Sequence, residues 1–263
     1  MSDREPLHIF HIAREDGTSL FLHPFLDRQR VMERMESYDL EGLYGREPRV
    51  EAITQFRNEL YRLIEDEVRD WIGESRFIPR FLISAGVFLL VYVGLSLAVR
   101  DPLPVVDEIA LSLGAAIAAF LLRRRRDMRS DAALSRRMKL RSKVDGIVFS
   151  ESEFVSRLED LLHTEESATS DTIVDRLSGA NGEAELDPAY QQQAGEFLSY
   201  LKAKFASAEY RKQEKRLLSK DKSGIGEREK ESLQRWASHR KVDLPLFALY
   251  VRLKRHIARR ATG

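Results

Sequence analysis

The apolar and polar positions of this chain are organised around residues 81 to 122. Phe81 to Val99 runs nineteen residues without a charge. At about 1.5 Å of rise per residue, such a helix is nearly long enough to cross a hydrocarbon core of about 30 Å. After the polar link Arg100-Asp101-Pro102-Leu103-Pro104, a second apolar run, Ile109 to Leu122, covers fourteen residues and ends at Arg123-Arg124-Arg125-Arg126. Arginine stems reach back to the interface, so these four cations need not sit deep. The spacing predicts a transmembrane helical hairpin over residues 79–122, with spans at about 81–99 and 104–122.

Ahead of it, residues 1–78 read as an α+β region. Leu7 to Ala13 and Thr18 to His23 flank Arg14-Glu15-Asp16-Gly17, a β-hairpin signature. His8 and His11 fall on opposite faces of such a strand and therefore do not form a metal pair. Phe25 to Tyr38 predicts a short helix with Val31 and Met35 on one face, and Gly42-Leu43-Tyr44-Gly45 reads as a turn. Glu47-Pro48 opens a long helix to about Ile72, whose apolar residues Phe56, Leu60, Ile64, Val68 and Ile72 recur at helical steps. That stripe suits either packing on the β-hairpin or a coiled-coil seam between subunits.

Residues 144–263 read as an all-α domain. Val144 to Phe149 suits a short strand or turn, and a helix follows from Ser150 to about His163. Residues 164–187 are polar and read mostly as a linker, with one or two helical turns near Thr172 to Leu177. A helix from Asp187-Pro188 to about Leu218 is expected next. Asp221 to Gly226 resembles a calcium loop but has Ile225 at the fifth ligand position and Ser232 at the twelfth, where a glutamate is needed, and so reads as a solvated turn. A helix from Glu227 to His239 precedes a last one opening at Leu244-Pro245. Its basic face, Arg252, Arg255 and Arg259, suits a membrane surface or partner groove, and its apolar face suits docking on its own domain. The fold class is thus a mainly α membrane protein: a two-helix transmembrane hairpin, an N-terminal α+β cytosolic region and a C-terminal all-α cytosolic domain.

Charge sharpens this picture only through its distribution. The chain carries 43 basic and 42 acidic residues, a net +1. Residues 123–143 concentrate ten basic side chains against Asp127 and Asp131 alone. A polybasic segment directly after an apolar helix suits the anionic cytoplasmic leaflet and makes Arg123, Arg124, Arg125 and Arg126 candidate lipid contacts. Arg69, Arg76 and Arg80 precede the first span, whereas the link has Arg100 alone. Both termini are therefore expected in the cytoplasm, with the hairpin in a membrane of the bacterial inner (plasma) type. The first residues lack signal-peptide character, so insertion is expected through the hairpin. With no cysteine, disulfides and thiolate metal sites are excluded.

Candidate chemistry is sparse. The chain has no Gly-x-Ser-x-Gly elbow, Walker loop, His-Glu-x-x-His helix or dinucleotide fingerprint. A non-enzyme without cofactor or metal is expected, and no nucleic-acid recognition pattern stands out. Ala110, Gly114 and Ala118 lie four apart, and Gly86 and Gly94 offer a matching groove. Small residues so placed bring helices close in lipid, within the hairpin or in a homo-oligomer. Asp107 and Glu108 either cap the second helix, where its dipole favours acids, or place one carboxyl partly inside for packing or cation binding. The expected function is a scaffold or regulatory anchor for an unidentified cytosolic protein. The alternative is an oligomeric cation channel or transport component with an acidic mouth at Asp101, Asp107 and Glu108. Two short spans with an acidic link resemble the layout of the mitochondrial calcium uniporter family. The resemblance is architectural: that family's Trp-Asp-x-x-Glu-Pro signature is missing, and no functional residue carries over.

Overall fold

Strand β1 (Leu7–Ala13) buries residues of both faces, Phe10 and Ile12 on one and Ile9 and His11 on the other, the mark of a strand covered on both sides. It turns back through Gly17, whose φ of 78° is left-handed, into β2 (Ser19–Leu22). The elements α1 (Val31–Ser37), β3 (Leu40–Tyr44), α2 (Val50–Ser75), α3 (Phe77–Ala98), α4 (Val105–Met128) and α5 (Asp131–Asp145) follow. The chain then forms β4 (Phe149–Glu151), α6 (Glu153–Glu166), α7 (Ser170–Ser178), α8 (Gln191–Lys204), α9 (Ala208–Ser219), α10 (Glu227–Ala237) and α11 (Leu244–Arg260). The structure, a computed structural model, describes residues 6–25, 31–98, 105–179, 187–219, 227–239 and 242–260. The protein is mostly helical with one small sheet.

The chain divides into two units, one built from residues 1–56 and 146–263, the other from 57–145. In the first, the strands lie in the order β2-β1-β3-β4. β1 pairs antiparallel with β2 and parallel with β3, and β3 pairs parallel with β4 in the register Gly42↔Phe149, Leu43↔Ser150, Tyr44↔Glu151. The sheet is thus completed by a strand from the far side of the inserted unit.

Each face of the sheet has its own cover. On one, Phe10 meets Phe154, Phe197 and Tyr200 within a buried cluster that continues through α6, α7, α8 and α11. On the other, Phe21 stacks on Phe56 at 4.4 Å, with His11, His23 and Phe149 around them. The first turns of α2 therefore pack on the hairpin, which is the intramolecular alternative for that stripe. Helix α11 packs against α6, α7, α8 and α9, and Leu246, Leu249, Val251 and Leu253 are fully buried. Two of its basic residues face inward as well, while the side chain of Arg259 lies outside the described residues. Arg252 pairs with the buried Glu165, and Arg255 donates to the carbonyls of Leu177 and Leu217 at the ends of α7 and α9. Those are orphan acceptors at helix C-termini, which a guanidinium satisfies well.

Several expectations shift. Gly42 to Gly45 is not simply a turn, because Leu40–Tyr44 forms the central strand β3. The strand expected at Val144 to Phe149 begins at Phe149, since α5 runs through Val144 to Asp145. The polar stretch after His163 contains a nine-residue helix, α7, which buries Ile173, Val174 and Leu177. The helix expected from Asp187 to Leu218 breaks between α8 and α9, where Phe205 is buried. Residues 26–30 of the expected Phe25 to Tyr38 helix, most of the 180–187 part of the linker, and Asp221 to Gly226 lie outside the described residues.

Gly42 is the position most sensitive to change. A Cβ there would overlap the Phe149 ring, which lies across β3 at the β3–β4 pairing. Gly42→Ala is expected to destabilise the protein by about 1–3 kcal/mol, the usual range for overpacking a tight site. Denaturant unfolding of the detergent-solubilised protein reads this out, and wild-type stability in the variant would refute the close approach.

Candidate functional site

Among the described residues, one helix is long and apolar enough to cross a membrane, the Phe77–Leu97 part of α3. Helix α4 is interrupted by Asp107 and Glu108 at its start and by arginines at its end, and does not meet that measure alone. The two helices nevertheless pack side by side and antiparallel. Their seam is where the polar chemistry of this unit gathers.

On α4 the buried positions are Glu108, Ser112 and Ala116, one turn apart. Ser96 Oγ of α3 donates to Glu108 Oε2 at 3.0 Å, and Ser112 Oγ donates back to the Glu108 carbonyl at 2.7 Å. At the other end, Arg80 is only 2% exposed. Its Nε donates to Asp127 Oδ2 at 2.8 Å, and its Nη2 donates to the Ile72 carbonyl. Arg123 approaches the other Asp127 oxygen at 3.9 Å, so one carboxylate answers two guanidinium groups. Both ends of the helix pair are thus fixed by polar contacts, with Ala116 between them.

This arrangement sorts the residues expected to matter. Glu108 is buried in the seam, whereas Asp107, its sequence neighbour, is exposed. Asp101 lies outside the described residues. Ala110, Gly114 and Ala118 are exposed, and a Cβ on Gly114, Gly86 or Gly94 would meet nothing within 4 Å. The small-residue stripe therefore does not build the α3–α4 contact, which uses Glu108, Ser112 and Ala116 instead. Arg124, Arg125 and Arg126 are exposed, and Arg123 turns to Asp127. Sequence reasoning overlooked Ser96 and the Arg80–Asp127 pair, and did not place Ser112 in the seam. The four-residue step from Glu108 to Ala116 was the available signal for the seam.

The sheet unit offers a second set of titratable groups. At the carboxyl ends of β1 and β3, Glu159 of α6 is almost wholly buried, and its Oε1 accepts from the Ala13 N–H at 2.7 Å. His163, one turn on, reaches the Ala13 carbonyl at 3.0 Å. Burial pushes the Glu159 carboxyl above its ordinary range, against the opposing pull of the Ala13 N–H and Arg46. Together the two side chains fasten α6 to the strand end. Gly45 sits against this clamp: a Cβ there would lie 2.6 Å from both Glu159 Oε2 and Ser156 Cα. Burial also raises Glu196, but hydrogen bonds from His8 and Tyr200 outweigh it and leave the carboxyl below its ordinary value.

An open cleft of about 380 Å³ lies beside this region, lined by Arg14, Glu15, Asp16, Glu166 and Pro245. Arg14 is held there by two carboxylates, with Nε on Glu166 at 2.6 Å and both Nη atoms on Asp243 at 2.8 and 2.9 Å. These bonds use three of the five guanidinium N–H donors and set two carboxylates against the one cation, which disfavours an anionic ligand. Among the described residues, no three His, Asp or Glu side chains gather as a metal site.

Two outcomes are expected. Asp127→Leu leaves the Arg80 guanidinium buried without its carboxylate and should cost about 3–5 kcal/mol, whereas the double variant Arg80→Met/Asp127→Leu should recover much of that loss. Unfolding of the wild type, Asp127→Leu, Arg80→Met and the double variant in detergent measures the coupling, and strictly additive effects would dismiss the pair. The second concerns pH. Burial lowers His23 from 6.5 to about 4, so between those values the unfolded chain binds the extra proton. Stability should therefore fall as pH drops from about 6.5 to about 4, by at most about 3 kcal/mol from this group. His23 Nδ1 accepts from the Phe25 N–H at 3.2 Å. His23→Asn keeps an acceptor without the titration and should make the pH slope shallower, the rest coming from His11, which burial likewise lowers to about 4, and an unchanged slope would exclude His23 as a source.

No family model, curated protein or solved structure matches this chain.

Proposed function

We propose that α3 and α4 cross the bilayer as a two-span hairpin and hold the sheet unit at the cytosolic face, as a non-catalytic scaffold or regulatory anchor for another protein. One observation carries this reading: β3 and β4, which pair directly, lie on opposite sides of the α3–α4 segment in the sequence. Strands that share a hydrogen-bonded ladder must lie on the same side of a membrane. The chain between them therefore crosses an even number of times. If α3 crosses, α4 crosses back.

The length of α4 is compatible with that role. Val105 to Leu122 rises about 27 Å as a helix, close to a core of about 30 Å, and arginine snorkelling with local thinning covers the remainder. The arginine asymmetry supports the cytosol, in a membrane of the bacterial inner type, as the side that holds both flanks. The bonds to Ser96 and within α4 suit Glu108 as a packing group. The cation-conductor reading has less support, because Asp107 is exposed while Glu108 turns into the seam, and the two acids do not converge.

Single cysteines introduced at Ser2, Leu103 and Thr262 of this cysteine-free chain test the arrangement with a membrane-impermeant thiol reagent on intact cells. Labelling is expected at Leu103 only. Labelling at either terminus without Leu103 would overturn the proposal.

A further inference from the structure

The arginine block at the end of α4 divides into two parts. Arg123 points along the seam, where Asp127, one turn later, already holds Arg80 of α3. The following three residues step round the helix by about 100° each and so cover its other sides. Arg124, Arg125 and Arg126 are exposed, as is Arg129 just beyond. Among the described residues, the side chain of none of these four makes a hydrogen bond or ion pair. The two acids of the segment offer no relief: Asp127 is engaged by Arg80 and Arg123, and Asp131 stands alone at the start of α5. The result is a collar of four uncompensated cations directly below Leu121 and Leu122, which are 49% and 65% exposed.

We infer that Arg124, Arg125, Arg126 and Arg129 form a binding collar for the phosphates of anionic phospholipid headgroups. The inference rests on the two-span reading above, since the apolar part of α4 is what holds the collar at headgroup depth. Two features favour lipid over other anions. Arg124, Arg125 and Arg126 lie on different sides of α4 and Arg129 follows in the turn after it, so the cations do not converge on one point, which suits a shell of headgroups better than one compact ligand. They also begin at the last exposed leucine, where a helix leaving the hydrocarbon meets phosphate. Guanidinium groups bind phosphate oxygens through paired N–H donors, so each free arginine can hold one headgroup. Arg123 is excluded because its charge is directed at Asp127.

The test uses the full chain reconstituted into bilayers of phosphatidylcholine with a minority of phosphatidylglycerol. Carbonate extraction comes first, followed by mild detergent extraction and quantitation of the retained headgroups. The wild type should enrich phosphatidylglycerol about threefold or more over the bulk bilayer at low salt, and high salt should reduce this. The variant Arg124→Gln/Arg125→Gln/Arg126→Gln/Arg129→Gln should fall to the bulk ratio while keeping its helical content. Arg123→Gln should keep the enrichment. A bulk ratio in the carbonate-resistant wild type, or enrichment unchanged in the quadruple variant, overturns the collar alone. Release of the wild type by carbonate overturns the two-span reading and the collar with it.

Discussion

The parallel ladder between β3 and β4 is the constraint on which the rest of the structure depends. Three residue pairs, Gly42 to Tyr44 against Phe149 to Glu151, close a sheet across a long inserted segment. Loop-closure entropy grows only with the logarithm of loop length, so such an insertion is affordable to a fold. Closure is eased further because the insertion is itself helical, and its chain leaves and returns through ordered elements. The hydrophobic contacts that reward closure lie on both faces of the sheet. Phe149 completes the aromatic group with Phe21 and Phe56, while Phe154 and Phe197 meet Phe10 on the opposite side.

Much of this was legible in residue spacing. The β-hairpin, the long α2, the apolar α3 and the amphipathic α6 and α11 all follow from periodicity. Strand β3 did not, for a physical reason. Its sequence Leu40-Glu41-Gly42-Leu43-Tyr44 has a charge and a glycine at its centre, and the glycine is there because the Phe149 ring occupies the place of a side chain. Nothing local records a ring arriving from more than a hundred residues away. The basic face of α11 misled in a similar way. Arg252 and Arg255 look solvent-seeking until the buried carboxylate and carbonyls that receive them are in place.

The helix pair illustrates a different limit. Ala110, Gly114 and Ala118 share their four-residue step with Glu108, Ser112 and Ala116. Spacing identifies a stripe but not which of two parallel stripes faces the neighbour, and stripes two positions apart lie about 200° round the helix. Small size favoured the first set, and the polar contacts of Glu108 and Ser112 decided for the second. Glu108 itself was legible as a candidate. Its partner Ser96 was not, because an isolated serine in an apolar run carries no signal without knowledge of the opposing helix.

Between two apolar helices in lipid, hydrophobic burial supplies little net attraction, since the tails are as apolar as the side chains. In the two-span reading, polar contacts and close approach must then define how α3 and α4 meet. This pair places its polar contacts at the two ends of the seam, Arg80 with Asp127 and Ser96 with Glu108. In the two-span reading those ends lie near the interfaces, where charge is tolerated better than at the bilayer centre. The same logic explains why one arginine of the block differs from its neighbours. Asp127 is the carboxylate that holds that end of the seam, and it already answers Arg80. Arg123 can share it because it lies one turn earlier on the same helix. Arg124, Arg125 and Arg126 point elsewhere by helix geometry, and their charge is left for the surroundings.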